Sequence, residues 1–302
     1  MVHENREPLA GLEVEEVRGD VRDPESLRRA FAGTDVVYHL AGLISIDGDC
    51  GGLVREVNVE GAANAAEASL AAGVRRMVHV SSIHAFRMAP LDRPLDETRE
   101  RVSDKPGEYP AYDRSKAEGE RRVRLVVEQG LDCVIVHPTA VIGPPDFAPS
   151  RMGRVFLDLH RRSLPALIDG GFDFVDVRDV TEGIIASAKR GRTNESYLLS
   201  GHWASVRGLA GLAESVTGVP APRFTTPMWL ARMAAPLATA VGRMRGSEPL
   251  FTSESLNALR SNRDIVRTKA EQELGYTPRP LRESVRDIYD WFAAVGRITP
   301  RR

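Results

Sequence analysis

Up to about residue 200 the chain alternates between short apolar runs and longer stretches of helical period, the pattern of βαβ units around a parallel sheet. LEVEEVRGD (12–20) predicts a strand ending at Asp20. DPESLRRAF (23–31) predicts a helix with Asp23 as N-cap, a proline in its first turn, and Leu27 and Phe31 four apart on one face. DVVYHLAG (35–42) reads as a buried strand running into Gly42, and the alanine-rich stretch from Leu53 to Ala72 as a helix closed at Gly73. RRMVHVSS (75–82) is a second buried strand, with Ser81 and Ser82 at its carboxyl end. A proline-bearing loop then leads into a helix that holds Tyr112 and Lys116 and runs to about Gly130, and LDCVIVHP (131–138) follows as another strand. This order predicts an α/β fold with a doubly wound parallel sheet and right-handed crossovers.

After about residue 145 the pattern loosens. GFDFVDVRDVTEGIIASAKR (171–190) predicts a short strand and a helix, SYLLSG (196–201) a strand, and SVRGLAGLAESVTG (205–218) a helix capped by Ser205. Helical stretches near 227–243, 253–260 and 268–274, and the segment LRESVRDIYDWFAAVG (281–296), complete the chain. The expected organisation is a sheet domain over 1–145, to which 171–201 returns, and a smaller, mostly helical lobe over 146–302.

Composition narrows the function classes. With 42% apolar and 27% charged residues in 302 and a net charge of −1, the chain suits a globular protein and gives no reason to expect nucleic acid or a membrane surface as partner. Cys50 and Cys133 form neither a metal spacing nor a disulfide framework, which together with the absence of a signal-peptide pattern fits a reducing cytoplasm. The most membrane-like segment, residues 228–244, is interrupted by Arg232 and Pro236 and reads better as an apolar helix. Only four lysines stand against thirty-seven arginines, so a lysine one helical turn from a tyrosine is a less casual neighbour than it first looks.

Ligands of open parallel sheets bind outside the carboxyl ends of the strands. Here those ends are Asp20-Val21, Leu40-Ala41-Gly42, Ser81-Ser82 and His137-Pro138-Thr139. An ammonium beside Tyr112 is expected to lower its phenol toward the neutral range, where it exchanges a proton with a substrate oxygen. A serine hydroxyl would stabilise a carbonyl that is becoming an alkoxide. A nicotinamide cofactor would supply the hydride that such a set lacks.

The ordered motifs GDVRD, VVYHLAG, NVEGAANAAEA, VHVSS, YDRSK and HPTAVIGP resemble the extended short-chain dehydrogenase/reductase family, its NAD-dependent epimerase/dehydratase group, and within it the dihydroflavonol-reductase-like and hydroxysteroid-dehydrogenase-like branch. The resemblance implies a Rossmann-like fold with Tyr112 as acid/base, Lys116 as its electrostatic partner and ribose contact, and Ser82 as the hydroxyl on the carbonyl. It implies Asp20 and Val21 at the adenine, Leu40, Ala41 and Gly42 along the cofactor, Asn58 supporting the helix beside the site, and Pro138, Thr139 and Val141 on the nicotinamide side. The cofactor is then NADP or NAD, with Arg6 tilting the choice toward NADP. A homodimer through paired helices is common in that family and open to this chain. His84 faces the expected substrate mouth but a lone histidine is more often structural; His39 and His137 read as packing residues, and Asp176, Arg178 and Asp179 as an interlobe cluster.

One departure is physical. The strand, glycine-rich turn and helix that open the family's fold have no counterpart in the sequence, and Met1–Arg6 resembles the end of the second strand. The first strand is central in such a sheet, so its absence is expected to uncover its neighbours' edges and points to a late start or a fragment. The leading expectation is an NAD(P)-dependent reductase or dehydrogenase acting on a carbonyl/alcohol pair of a small organic molecule. A nucleotide-sugar epimerase or dehydratase using the same tyrosine, with Arg151, Arg154 and Arg161 toward a diphosphate, and a non-catalytic dinucleotide sensor or scaffold, are the alternatives.

Overall fold

A computed structural model of the chain describes residues 6–46, 48–233 and 253–299. The strands are β1 (Val36–His39), β2 (Arg76–Val80), β3 (Cys133–Pro138), β4 (Ala140–Ile142), β5 (Leu167–Ile168), β6 (Gly171–Asp176), β7 (Ser196–Leu199), β8 (His202–Ser205) and β9 (Thr225–Thr226). The helices are α1 (Pro24–Phe31), α2 (Leu53–Arg55), α3 (Gly61–Ala71), α4 (Ala111–Val127), α5 (Arg151–Arg161), α6 (Val177–Arg190), α7 (Val206–Thr217), α8 (described over residues 228–233), α9 (Ser253–Ala258), α10 (Thr268–Leu274) and α11 (Leu281–Ala294). The main sheet has the order β1-β2-β3-β7, all parallel, and two small sheets, β4-β6-β8 and β5-β9, sit among the later helices. The remainder of the 227–243 expectation lies outside the described residues.

Side chains alternate across a strand, and here the two faces meet different helices. Val37, Met77, Cys133 and Ile135 pack with Leu27 of α1, the alanines of α3, and Val123 and Val126 of α4. Val78, Val134, Val136, Tyr197 and Leu199 pack with Val180 and Ile184 of α6 and with Ala270 and Leu274 of α10. Helices therefore cover both faces, as the apolar runs predict. A third core joins α5, α7 and α11 through Phe156, Leu209, Val285 and Phe292.

The strand expected at 12–20 does not form. These residues are neither helix nor strand, and Leu12, Val14 and Val17 are exposed, because among the described residues no strand offers them a ladder. The expected helix from Leu53 to Ala72 is interrupted by a π-turn at Glu56–Glu60, which carries the buried Asn58. Such wide turns commonly sit at functional sites.

Candidate active site

Helix α4 brings the sequence's central pair to the sheet's carboxyl end. Tyr112 and Lys116 lie one turn apart on its buried side, and the Lys116 ammonium donates to the carbonyl of Val80 at the end of β2 (3.2 Å). Asn58 positions the helix. Its amide nitrogen donates to Ser115 Oγ (2.9 Å) and to the Leu43 carbonyl (2.9 Å), while its oxygen accepts from the Leu43 amide (2.7 Å). Ser115 in turn donates to the Tyr112 carbonyl (2.7 Å). The strand-end loop after β1 and helix α4 are thus held to one asparagine.

The two serines part company. Ser81 is buried and donates to Glu120 (2.7 Å), whereas Ser82 hydrogen-bonds toward Tyr112 and accepts from the His84 amide (3.2 Å). Burial pushes the Tyr112 phenol up to about 12, against the hydrogen bond from Ser82, which lowers it. This corrects the expected lowering: burial, with the Asp113 carboxylate acting in the same direction, outweighs the Ser82 hydrogen bond, and the phenol keeps its proton at neutral pH. Burial also draws Lys116 down to about 8, with Glu120 acting in the opposite direction.

Leu40, Ala41 and Gly42 are exposed at the end of β1, and a Cβ on Gly42 would stand 3.2 Å from Lys116 Nζ and 3.4 Å from Asn58 Oδ1. A nicotinamide dinucleotide fits this arrangement on its ribose side. The groove before the lysine is open because residue 42 has no side chain, and the ammonium uses one of its three donors on Val80. Asp20 and Val21 sit further along. The Asp20 carboxylate is held by Arg22 (2.7 Å), which lowers it to about 2, and the Val21 carbonyl accepts from Asn64 on α3 (2.9 Å). Pro138 is buried at the end of β3. Thr139 donates to the buried carboxylate of Asp173 (2.7 Å), and Val141, partly exposed, pairs with Val175 across β4 and β6. Contacts therefore gather Gly42, Asn58, Ser82, Tyr112 and Lys116, with Asp20, Val21 and Val141 tied to other neighbours.

Beside Tyr112 opens a cavity of about 580 Å3. Its wall is largely apolar, with Ile83, Phe86, Met152, Phe172, Phe174 and Leu209 among its lining side chains. His84 stands at this wall, its Nδ1 3.1 Å from Asp113 Oδ1 and its ring edge-on to Tyr112 at 5.8 Å. The sequence marked His84 without finding this partner; Asp113, directly after the tyrosine, was the available signal.

A second group escaped the sequence reading. Glu120 of α4 accepts from Ser81, His137 and Arg101, and His39 stacks on His79 at 5.3 Å on the same face of the sheet. Asp176 caps α6 and pairs with Arg178, and Asp179 pairs with Arg279, so the expected interlobe cluster exists as ion pairs. Among the described residues no group of acidic, histidine or cysteine side chains could hold a metal ion, and no helix is long and apolar enough to cross a membrane.

A parallel sheet covered on both faces, with a tyrosine, a lysine and a serine gathered at its carboxyl end, defines a Rossmann-type nucleotide-binding protein. Residues 2–200 match the NAD dependent epimerase/dehydratase family, and the chain belongs to it. Sterol demethylase protein B of Methylococcus capsulatus is 35% identical over 294 residues, covering 96% of this chain and 88% of that protein. A putative dihydroflavonol 4-reductase of Synechocystis is 30% identical over 295 residues, covering 96% and 85%. The crystal structure of gox2253 superposes with a TM-score of 0.83 at 32% identity, covering 99% of this chain and 90% of that one.

Proposed function

We propose that this chain is an NAD(P)-dependent reductase that interconverts a carbonyl and an alcohol on an apolar organic molecule, with Tyr112 as the acid. The observation that carries the reading is the cavity beside the phenol, whose wall is largely apolar and includes Tyr112 itself. A cavity of this size suits a multi-ring or isoprenoid-sized substrate. The names of the two relatives, a sterol demethylase component and a dihydroflavonol reductase, support the same class.

Gly42, Asn58 and Lys116, with Leu40, Ala41, Asp20, Val21, Pro138, Thr139 and Val141 around them, would hold the dinucleotide. When bound, it supplies the hydride. Ser82 and Tyr112 orient the substrate oxygen, and the Tyr112 phenol passes its proton to that oxygen as negative charge develops there. The Lys116 ammonium keeps a positive potential behind the phenolate left on Tyr112. The apolar wall excludes water from the reacting carbon.

Arg151, Arg154 and Arg260 also line the cavity, and they favour a second reading, in which a diphosphate meets them and the substrate is a nucleotide sugar. The test is to follow loss of reduced-nicotinamide absorbance with NADPH or NADH over a panel of apolar ketones, and separately to look for isomerised or dehydrated sugar nucleotide. Tyr112→Phe should lower ketone turnover by roughly 100- to 10,000-fold with cofactor binding retained. Sugar-nucleotide conversion without net cofactor oxidation would select the second reading, and unchanged turnover by Tyr112→Phe would defeat both.

A further inference from the structure

Helix α4 presents a third buried polar residue in the row that Tyr112 and Lys116 begin. Glu120 lies one turn beyond Lys116 and is 2% exposed. Its two carboxylate oxygens are shared among three other elements. Oε1 accepts from Ser81 Oγ, just past β2 (2.7 Å), and from His137 Nε2 of β3, while Oε2 accepts from Arg101 Nε in the loop that leads to α4 (2.8 Å). Arg101 continues to Ser196 Oγ of β7 (3.0 Å) and lies over the Phe86 ring at 3.7 Å, beside the wall of the cavity.

We infer that Glu120 is the positioning residue of this site: its carboxylate fixes α4 against the ends of β2 and β3 and stands as the counter-charge beneath Lys116. The inference rests on Tyr112 and Lys116 being the reacting pair.

The surroundings of this carboxylate explain why it is charged. Burial works against ionisation, but His137 and Arg101 outweigh it and hold Glu120 well below the usual carboxylate range. His137 is itself pushed down by burial, so at neutral pH it is an uncharged imidazole donating its Nε2 proton, and Arg101 is the cation. Arg124, further along α4, faces Glu120 but is bonded to Ser196 and Asn194, and His79 of β2 is held neutral by burial. Around Lys116 stand the neutral His39 and His79, the Val80 carbonyl and the amide oxygen of Asn58, whose Oδ1 flanks the same groove. Glu120 is therefore the acidic group that opposes the desolvation of Lys116.

A purely structural ion pair would be a poor use of a buried carboxylate, because an apolar side chain of similar volume commonly packs as well or better. The charge at residue 120 differs from such a side chain in what it does to residue 116. Removing it leaves Lys116 with burial alone, which favours the neutral amine, and an amine offers no positive potential to a phenolate.

The protein's four lysines, Lys105, Lys116, Lys189 and Lys269, make this measurable without turnover. Lysine labelled with 13C at the carbon beside Nζ gives four signals, that of Lys116 being the one missing from Lys116→Arg. In Glu120→Gln its titration midpoint should fall by roughly one to two pH units relative to the unsubstituted protein. In Arg101→Gln, where the carboxylate loses its neutralising cation, the midpoint should rise. An unmoved midpoint in Glu120→Gln, accompanied only by a lower melting temperature, would reduce Glu120 to a packing role and overturn the inference. If Glu120→Gln does not fold, the absence of a rise in Arg101→Gln overturns it alone. Because the signals titrate with no substrate present, an inactive protein would defeat the reductase reading and leave this result standing on its own.

Discussion

Gly119, in the middle of α4, tests how the helix that carries Tyr112 and Lys116 is seated. A Cβ added there would lie 2.4 Å from the backbone carbonyl oxygen of Asn58 and 3.7 Å from Ala62 Cβ. Ordinary carbon–oxygen contact is about 1 Å longer, so α4 and the π-turn at Glu56–Glu60 must separate by about that distance in Gly119→Ala. That separation strains the Asn58–Ser115 bond, 2.9 Å at present, and moves Tyr112 and Lys116 relative to the end of β2. Overpacking of this kind costs about 1–3 kcal/mol, offset by about 0.5–1 kcal/mol from replacing glycine by alanine in a helix. The two ranges leave a net loss of about 0–2.5 kcal/mol, centred near about 1 kcal/mol, or a fall of roughly 2–4 °C in melting temperature at that centre. Gly211, inside α7, has nothing within 4 Å of its added Cβ, and Gly211→Ala should stabilise by about 0.4–1 kcal/mol. Paired thermal melts of the two variants, with cofactor affinity measured on each, provide the assay. A Gly119→Ala protein as stable as the parent, binding cofactor equally well, would refute the close seating of α4 on Asn58.

Three further outcomes follow from the site. Because Lys116 titrates at about 8 and Tyr112 at about 12, the rate of ketone reduction should fall as pH rises through about 8, tracking loss of the ammonium; a rate level to pH of about 10 would exclude Lys116 as the charged partner. His39 is drawn from 6.5 to about 4, chiefly by burial and then by Lys116, so below pH 6.5 the unfolded chain binds a proton that the folded one refuses. The difference, 6.5 less about 4, is about 2.5 units, so stability should drop by up to about 3 kcal/mol between pH 6.5 and 4 on this account, with His79 adding to it. Urea midpoints of the parent and of His39→Gln should converge as the pH is lowered across this interval, and parallel curves would rule the histidine out. Finally, Gly42→Ala should weaken dinucleotide binding by roughly tenfold, about 1.4 kcal/mol, with the melting temperature nearly unchanged, as residue 42 is exposed; calorimetric titration with NADPH and NADH measures it.

How far the molecule could be read in its sequence depends on whether a feature is local. Asp23 and Ser205 cap the helices they begin, and the runs 75–82 and 131–138 contain β2 and β3, because caps and apolar runs are properties of neighbouring residues. LEVEEVRGD also reads as a strand, with Leu12, Val14 and Val17 as its apolar positions, yet a strand also needs a partner's ladder, and none of the described residues supplies one. The site divides in the same way. Tyr112 and Lys116 stand four apart on one helix, so the pair was visible; Glu120, four further along the buried side of α4, was missed because Arg101, Ser81 and His137, which give it its meaning, arrive from a loop and two strands. Most instructive is the phenol. Sequence logic set an ammonium beside Tyr112 and expected it to pull the proton off, but the enclosure that brings the two together also desolvates both, raising one and lowering the other. Both then hold their protons at neutral pH, and a protonated phenol with a cation behind it is arranged to give a proton to a developing alkoxide. On the proposed reading the resting site is therefore poised for the carbonyl-to-alcohol direction, and running it backward requires first taking a proton from a phenol held near 12.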